Sequence, residues 1–321
     1  MMKRAYIRIA LAILGMVLPS LASAQSLRVL YWNIQNGMWA DQENDYDNFV
    51  SWVKEMNPDI CVWCEASTIY YSGTADVMPE EDRYLPANWS SLAARYGHPF
   101  SIVAAQRDEY PQVVTSRFPL QHVAALCGNG SDTLVVHGAG WIKAKTGGRE
   151  MNFVTVHLKP FLYGYDVPKA DRAESAARFE GEYFRIAEMD YIFDHTIRTR
   201  PAPENENWFM MGDFNSRSRV DNYQYGWSED SKRFMVHDHI AAKSPYRDLV
   251  AEKFPGEFQK TDGSGNRIDF VYVTPRLLDA ISGVKVIHDG WAAHYKSGVS
   301  KFYRPSDHFP IVVDIDVSKI R

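Results

Sequence analysis

Acidic, amide and histidine side chains recur along this chain near the points where apolar runs begin or end. The set comprises Asn33, Glu65, His157, Asp213, Asn215, Asp269, Asp307 and His308. Carboxylates can hold a divalent cation, a carboxylate or histidine can activate water, and His or Asn can steady phosphoryl oxygens. We therefore interpret the set as the centre of a metal-dependent phosphoester hydrolase.

The segment Gly212-Asp213-Phe214-Asn215 is the densest part of this set. Asp213 and Asn215 are two residues apart, so in an extended segment both side chains point one way while Phe214 packs opposite. Asp213 is a candidate base or water-orienting group, and Asn215 can donate to a phosphoryl oxygen. Taken alone, the segment also suits an ordinary turn after a strand.

The elements that must position these residues are strands interleaved with helices. Apolar runs bounded by turn signals predict strands near 27–34, 60–65, 101–105, 112–116, 133–145, 151–158, 207–212, 267–273 and 309–316. Helical periodicity predicts helices over 45–56 and 170–199. Several strands are apolar on both faces, which predicts an α/β core with helices outside. The polar residues then cluster at strand ends, where open α/β sheets build their sites.

Short motifs follow one another along the chain: Trp32-Asn33, Pro58-Asp59-Ile60 with Glu65, Ser116-Arg117-Phe118-Pro119, Val156-His157-Leu158, Gly212-Asp213-Phe214-Asn215, Arg267-Ile268-Asp269 and Ser306-Asp307-His308. This ordered set resembles that of the deoxyribonuclease I-like endonuclease/exonuclease/phosphatase superfamily. The resemblance covers essentially the whole chain after residue 24. The resemblance implies a four-layered α/β sandwich, in which two central mixed β-sheets pack face to face and are flanked by helices. It also implies one such domain over residues 25–321.

The resemblance further implies a metal site and its ligands. Glu65 would be the main Mg²⁺ ligand, with Asn33 near the same cation and Asp307 beside the site. Oxygen ligands without a His/Cys cluster suit Mg²⁺, or Mn²⁺ as a substitute, rather than zinc. A salt-bridged glutamate at a strand end is the alternative for Glu65.

Catalytic roles are implied in the same way for His157, Asp213, Asn215, Asp269 and His308. His308 would act against the scissile phosphate, and Asp269 would orient and charge it, as in hydrolytic triads. His157 would bind phosphate or act as a general acid, although a histidine ending an apolar strand is more often a core residue. Asn215 and Arg117 would contact the phosphate.

The N-terminal 24 residues have the features of a signal peptide. A basic region with Lys3, Arg4 and Arg8 precedes the apolar stretch 9–21, and Ala22-Ser23-Ala24 suits cleavage before Gln25. We expect export to the periplasm or beyond. Removing three basic residues leaves 32 basic and 40 acidic residues, a formal charge of −8. Coating of nucleic acid by charge alone is therefore excluded.

Three cysteines, Cys61, Cys64 and Cys127, leave at least one thiol unpaired within the chain. Cys61 and Cys64 are three apart on a predicted strand, so they point to opposite faces and cannot form a disulfide. We expect two buried, inert thiols rather than a redox pair.

The shared residues recognise only phosphate and metal, so they do not select the substrate. Nucleic acid is slightly favoured. A sphingomyelinase-like lipid phosphodiesterase, an inositol or small organophosphate phosphatase and a non-catalytic binding protein are the alternatives. Aromatic residues in 288–306, among them Trp291, Phe302 and Tyr303, could stack on bases or contact a membrane. We expect a monomer, and nothing in the sequence implies a protein partner.

Overall fold

The computed structural model describes residues 26–71, 76–128, 134–146, 148–293 and 305–320. The strands are β1 (Ser26–Asn33), β2 (Ile60–Cys64), β3 (Phe100–Ala105), β4 (Gln112–Ser116), β5 (Leu120–Leu126), β6 (Ala139–Thr146), β7 (Arg149–His157), β8 (Trp208–Asp213), β9 (Arg247–Asp248), β10 (Asp269–Val273), β11 (Ile281–Val286) and β12 (Ile311–Asp316). They form two six-stranded sheets with the orders β11-β12-β1-β2-β4-β3 and β5-β6-β7-β8-β10-β9. Both sheets are mixed, because β1 pairs with β2 and β7 with β8 in parallel.

The helices are α1 (Gln35–Met38), α2 (Asp47–Met56), α3 (Trp89–Arg95), α4 (Arg172–Ala177), α5 (Glu180–His195), α6 (Asn222–Tyr225), α7 (Met235–Lys243), α8 (Leu249–Lys253) and α9 (Pro275–Leu278). The predicted helix over 45–56 is α2, whose residues Phe49, Val50 and Val53 are buried. The helix ends at Met56. The next residue, Asn57, is in the left-handed conformation with φ 51° and is followed by Pro58, a residue that cannot continue a helix.

Strand alternation builds three apolar layers. Val29 and Tyr31 of the first sheet pack against Phe153 and Met211 of the second, so one core lies between the sheets. The opposite face of the first sheet packs on α2 and α3, through residues such as Trp32. The outer face of the second sheet packs on α5 and α7. The predicted four-layered α/β sandwich is thereby confirmed.

The cysteines behave as the strand periodicity predicts. Cys61 and Cys64 are both buried and unpaired in β2, on opposite faces of the first sheet. Burial raises the pKa of both thiols well above the usual value. They therefore remain protonated structural residues.

The single long helix predicted over 170–199 is wrong. It is divided into α4 and α5 by Phe179, which has φ 59°. The break lets Gly181 approach the loop that follows β7, since its N–H donates to the Leu162 carbonyl at 2.7 Å and an added Cβ would lie 2.4 Å from the Phe161 carbonyl oxygen. Tertiary contact with this loop thus overrides the helical periodicity.

Two further differences concern strands. The strand predicted over 133–145 begins only at Ala139, because Gly138, with φ 82°, closes a turn onto Val135. Strands β5, β9 and β11 were not predicted. All three lie at sheet edges; β9 has only two residues, and in β5 and β11 exposed polar and small residues replace an apolar run. Residue 133 lies outside the described ranges, as do residues 1–25, so the signal peptide stays a prediction. Among the described helices, none is both long and apolar enough to cross a bilayer.

Candidate active site

Strand register brings the predicted site residues to one edge of the two sheets. In the second sheet, Asp213 pairs with His157 of β7 on one side and with Asp269 of β10 on the other. In the first sheet, Asn33 ends β1 beside the end of β2, after which comes Glu65. Because both sets lie at the same edge, residues more than 200 positions apart come within hydrogen-bonding distance.

Hydrogen bonds between site residues connect the two sheets at this edge. The Asn33 amide Nδ2 donates to Asp213 Oδ2 at 3.3 Å, and also to Glu65 Oε1 at 3.2 Å. The Tyr31 hydroxyl donates to Asp269 Oδ1 at 2.6 Å. The fold therefore fixes the spacing of the carboxylates from both sheets, as a site built on rigid elements requires.

His308 and Asp269 form a buried pair. His308 Nδ1 lies 2.7 Å from Asp269 Oδ2, while its Nε2 lies 3.9 Å from both Asp213 Oδ2 and Asp307 Oδ1. Burial opposes protonation of the imidazole, but the charge and hydrogen bond of Asp269 prevail and raise the pKa of His308 well above its ordinary value. Asp269 thus orients His308 and keeps it protonated.

The Asp307-His308 segment is anchored to β1 through Ser306. The Ser306 hydroxyl donates to the Asn33 carbonyl at 2.7 Å and accepts from the His308 N–H at 3.0 Å. The Trp32 indole donates to the His308 carbonyl at 2.9 Å. Asp307 itself is half exposed, so its carboxylate faces the open side of the site.

Asp213 lies at the centre of the group. Burial, followed by the charge of Asp269, raises the pKa of Asp213 to about 8. Asn215 adopts φ 50°, its N–H donates to Asp213 Oδ1 at 2.9 Å, and its Nδ2 donates to the Leu158 carbonyl at 3.0 Å. The amide of Asn215 is therefore committed to the loop after β7 in this structure.

His157 is buried beside Asp213, with its Nε2 3.8 Å from Asp213 Oδ2. Burial, followed by the neighbouring imidazoles of His137 and His308, lowers the pKa of His157 well below its ordinary value. A neutral ring can donate or accept one hydrogen bond at Nε2. His157 therefore suits a ligand of phosphoryl oxygens better than an acid that is charged at neutral pH.

His137 is a site residue that the sequence did not reveal. Its ring stacks on His157 at a centroid distance of 4.1 Å, and its Nδ1 lies 2.6 Å from Asp108 Oδ2. Tyr110 packs edge-on against both imidazoles. Neither the spacing nor the local sequence around Asp108 and His137 predicts that they pair. The pair forms only because the β3–β4 turn packs against the segment before β6 in the folded protein.

Arg117 does not lie in this site, which corrects its interpretation as a phosphate contact. Arg117 directly follows β4, which runs antiparallel to β2. It therefore lies beside the start of β2, whereas Glu65 follows the end of that strand. Its guanidinium bonds Asp59 at 3.1 Å and also contacts Asn57. The Ser-Arg-Phe-Pro motif here serves to hold the start of β2.

Other histidine and arginine side chains that could bind a metal or a phosphate have partners away from the site. His237 is buried and bonds the Tyr272 hydroxyl at 2.6 Å, whereas His239 bonds Asp190 at 2.9 Å, so the two do not share a metal. Arg219 pairs with Asp238 at 2.7 Å, which leaves it poorly placed to grip a phosphate. Trp291 packs against Trp32 and Trp52, and Phe302 and Tyr303 lie outside the described residues.

The ligand set fits a divalent cation. Asn33, Glu65 and Asp307 offer oxygen atoms, and in the described part of the chain neither Lys nor Arg forms an ion pair with Glu65, Asp213 or Asp307. Burial, followed by the charge of Asp307, raises the pKa of Glu65. Asp213, Asp269 and His308 also converge within 4.8 Å, but Asp269 already accepts from Tyr31 and His308. The Glu65 carboxylate likewise accepts from Asn33 Nδ2 and from the Asn36 N–H, so both groups offer carboxylate oxygen atoms to a metal ion.

The buried carboxyl group of Glu188 supports the loops around the site. The Glu188 carboxylate accepts from the Val136 N–H at 2.8 Å and from the Lys159 N–H at 3.0 Å, so it joins the segments that carry His137 and His157. Burial raises the pKa of Glu188 to about 7. Ionisation of this carboxylate in the folded protein is therefore costly.

A pH dependence of stability follows. The folded pKa of Glu188 exceeds the unfolded value, so its contribution is present below about pH 4.5 and is lost as the pH rises to about 7. Relative to Glu188→Gln, the free energy of unfolding of the wild type should fall by about 3 kcal/mol across this window. Urea unfolding of both proteins at a series of pH values measures the difference. Parallel profiles would show that Glu188 does not titrate there.

Comparison with known proteins agrees with this geometry. Residues 30–308 match the model of the Endonuclease/Exonuclease/phosphatase family. The chain belongs to this family. No curated protein matches it in sequence.

Solved structures share the fold of this family member. An AP endonuclease from Archaeoglobus fulgidus has a TM-score of 0.60 at 15% identity, covering 91% of this chain and 100% of its own. The 3′ phosphatase NExo from Neisseria, bound to a product DNA hairpin, has a TM-score of 0.58 at 18% identity, with coverages of 90% and 99%. Truncated TDP2 from Caenorhabditis elegans has a TM-score of 0.55 at 15% identity, covering 91% of this chain and 98% of its own.

Proposed function

We propose that the protein is an exported, divalent-metal-dependent phosphoester hydrolase whose substrate is nucleic acid. One observation carries the chemical part of the proposal: Tyr31 and Asn33 of one sheet bond Asp269 and Asp213 of the other, so that carboxylates and two histidines converge on a single edge. Family membership supports a phosphoester as the substrate. Export rests on the sequence of residues 1–24 alone.

The roles of the side chains follow from their charges. Asp213, whose pKa of about 8 leaves it largely protonated near neutral pH in the absence of a cation, would act in its ionised form as the base toward an attacking water. His308, kept protonated by Asp269, can stabilise negative charge on the phosphoryl group or donate a proton to the leaving oxygen. Neutral His157 can hold a phosphoryl oxygen through Nε2. When bound, a cation at Asn33, Glu65 and Asp307 would offset their charge and polarise the phosphate.

Nucleic acid is preferred as the substrate because of a solved structure with the same fold. Trp291, the described aromatic of the 288–306 segment, packs against Trp32 and Trp52. This packing weakens both roles considered for Trp291, stacking on bases and contact with a membrane. NExo, which has the same fold, is bound to a DNA hairpin.

Metal dependence is tested by activity together with binding. Hydrolysis of a single-stranded DNA or RNA oligonucleotide should disappear on exhaustive chelation and return with Mg²⁺ or Mn²⁺. Mg²⁺ at about 100 times its Kd should stabilise the wild type by about 2.7 kcal/mol, seen as a higher thermal midpoint. Glu65→Gln should lose that increase, because it removes the charge of the main ligand.

The matched control is Glu204→Gln, which changes an exposed glutamate away from the site and should respond to Mg²⁺ like the wild type. Full turnover by metal-free protein would contradict the proposal. Release of phosphocholine from sphingomyelin, or of phosphate from inositol phosphates, with no cleavage of oligonucleotides would replace the substrate class. Mg²⁺ binding without hydrolysis of any of these would favour a non-catalytic protein.

A further inference from the structure

A groove of aromatic and cationic side chains follows β7, on the segment directly after His157. It encloses about 220 Å³. Its walls include His137, Lys159, Phe161, Tyr163, Tyr165 and Arg172. We name this surface the aromatic groove.

The aromatic groove adjoins the candidate active site. His137, which lines it, stacks on His157 at 4.1 Å between ring centroids. His157 in turn lies 3.8 Å from the Asp213 carboxylate. A group in the groove is therefore separated from the Asp213 carboxylate by the stacked imidazole rings of His137 and His157.

The loop that forms the groove is held from beneath. Arg185, fully buried, donates from Nη1 to the carbonyl oxygens of Lys159 at 2.7 Å and Phe161 at 2.8 Å. The Gly164 N–H donates to the Ser175 hydroxyl at 2.9 Å. These bonds fix the backbone on the protein side, so the outward direction of its rings is set by the fold rather than by a mobile loop.

Phe161 is exposed to solvent and has a strained backbone conformation. Its φ of 68° is in the left-handed region, which a phenylalanine rarely occupies. The ring is nevertheless 63% exposed and stacks in parallel on Tyr163 at 5.2 Å. Strained residues held by their surroundings concentrate at functional positions. An exposed apolar ring in such a conformation points to a ligand that covers it.

Cations lie over the aromatic faces. The Tyr163 ring has Lys159 Nζ at 4.6 Å and the Arg172 guanidinium at 4.7 Å from its centroid. The Tyr165 ring has the Arg107 guanidinium at 5.9 Å. A quaternary ammonium would need these faces free and would be repelled by the three charges. The same charges attract phosphate, although the exposed carboxylate of Asp166 also lies at the margin.

We propose that the aromatic groove binds the nucleotide next to the scissile phosphate in single-stranded nucleic acid, with the base on Phe161 and the phosphate at Arg172. This rests on the proposed hydrolysis of nucleic acid and specifies its substrate. A base reaches an exposed ring face only when it is unstacked from its neighbours. The volume is below the 300–1,000 Å³ that is usual for drug-sized ligands, so it suits one base rather than a duplex.

Binding is tested apart from cleavage. In a His308→Ala background, fluorescence anisotropy measures the Kd of a labelled ten-nucleotide single strand and of the corresponding blunt duplex. The single strand should bind more tightly, and Phe161→Ala should raise its Kd about 10-fold or more, because base–aromatic stacking is lost. Arg172→Gln should weaken binding and reduce its salt dependence. The thermal midpoint of Phe161→Ala reports that the variant is folded.

Tyr183→Ala is the matched control, since Tyr183 is also an exposed aromatic residue, 48%, and has a cation, Lys232, over its ring. It should bind the strand like the His308→Ala parent. If Phe161→Ala and its parent bind the single strand with equal affinity, the proposal that the aromatic groove binds a nucleotide is wrong. Binding to vesicles of phosphatidylcholine and sphingomyelin that Phe161→Ala abolishes would also overturn it, in favour of a membrane surface.

Failure of the groove and failure of the proposed function give different results. If the wild type hydrolyses bis(p-nitrophenyl) phosphate and oligonucleotides but Phe161→Ala binds the strand normally, only the groove is refuted. If the wild type hydrolyses neither, the proposed function is refuted, while the anisotropy series still reports whether the groove holds a single strand.

Discussion

Replacing His308 by alanine should lower the rate of phosphodiester hydrolysis by about 10² to 10⁴. The loss is expected because the buried, protonated imidazole faces the site through Nε2, 3.9 Å from Asp213, and no other described cation lies so near that carboxylate. Asp269→Asn should cause a smaller loss, since it disturbs only the orientation and charge of His308. Single-turnover rates on an oligonucleotide at saturating Mg²⁺ measure both effects.

His195→Ala is the control for this experiment, because His195 is exposed at the end of α5 and bonds only the Tyr191 carbonyl among the described groups. It should hydrolyse the substrate at the wild-type rate. Thermal midpoints separate loss of chemistry from loss of fold. A His308→Ala protein that is folded and fully active would exclude the assigned role.

The sequence predicted those parts of the site that strand ends determine. A polar residue that closes an apolar strand must lie at a sheet edge, so Asn33, His157 and Asp213 could be placed together before the structure was known. The His308–Asp269 pair was predicted from the family resemblance. The structure brings these residues together, with hydrogen bonds that link the two sheets.

Residues positioned by loops were not predictable in the same way. His137 meets His157 because the turn after β3 supplies Asp108, and no sequence spacing encodes that contact. Arg117 shows the opposite error: a charged residue in a plausible motif lies at the wrong end of its strand and pairs with Asp59. The direction of a strand relative to the site decides such cases, and a local motif does not contain it.

The break at Phe179 has a similar origin. Residues 170–199 have helical spacing, but the helix breaks at Phe179, and Gly181 then packs closely against the loop that carries Phe161. The loop and the break belong together, since Arg185 of α5 holds the Lys159 and Phe161 carbonyls. A feature that looks like a local departure from periodicity therefore serves to shape the surface beside the site.

Gly212→Ala should be the most destabilising single methyl group that can be added near the site. A Cβ at this position would lie 1.8 Å from the Val156 carbonyl oxygen, a backbone atom that cannot rotate away. Strands β7 and β8 would have to separate, at a cost of about 3 kcal/mol or more. Urea unfolding at constant m-value measures the loss of free energy.

The same separation should also slow the reaction in whatever protein remains folded. Gly212 pairs with Val156 in register, so the next pair along the two strands is Asp213 with His157. A displacement of about 1 Å between catalytic groups can cost about 10² in rate.

Gly283→Ala in β11 is the control: its Cβ would meet only the Asp314 side chain, at 3.5 Å, and both stability and rate should stay near wild type. If the two variants behave alike, close approach of β7 and β8 is not what sets the geometry of His157 and Asp213. If only Gly212→Ala loses both stability and rate, the glycine of the Gly-Asp-Phe-Asn motif is required for strand spacing, and the motif is then a device for placing a carboxylate beside a histidine.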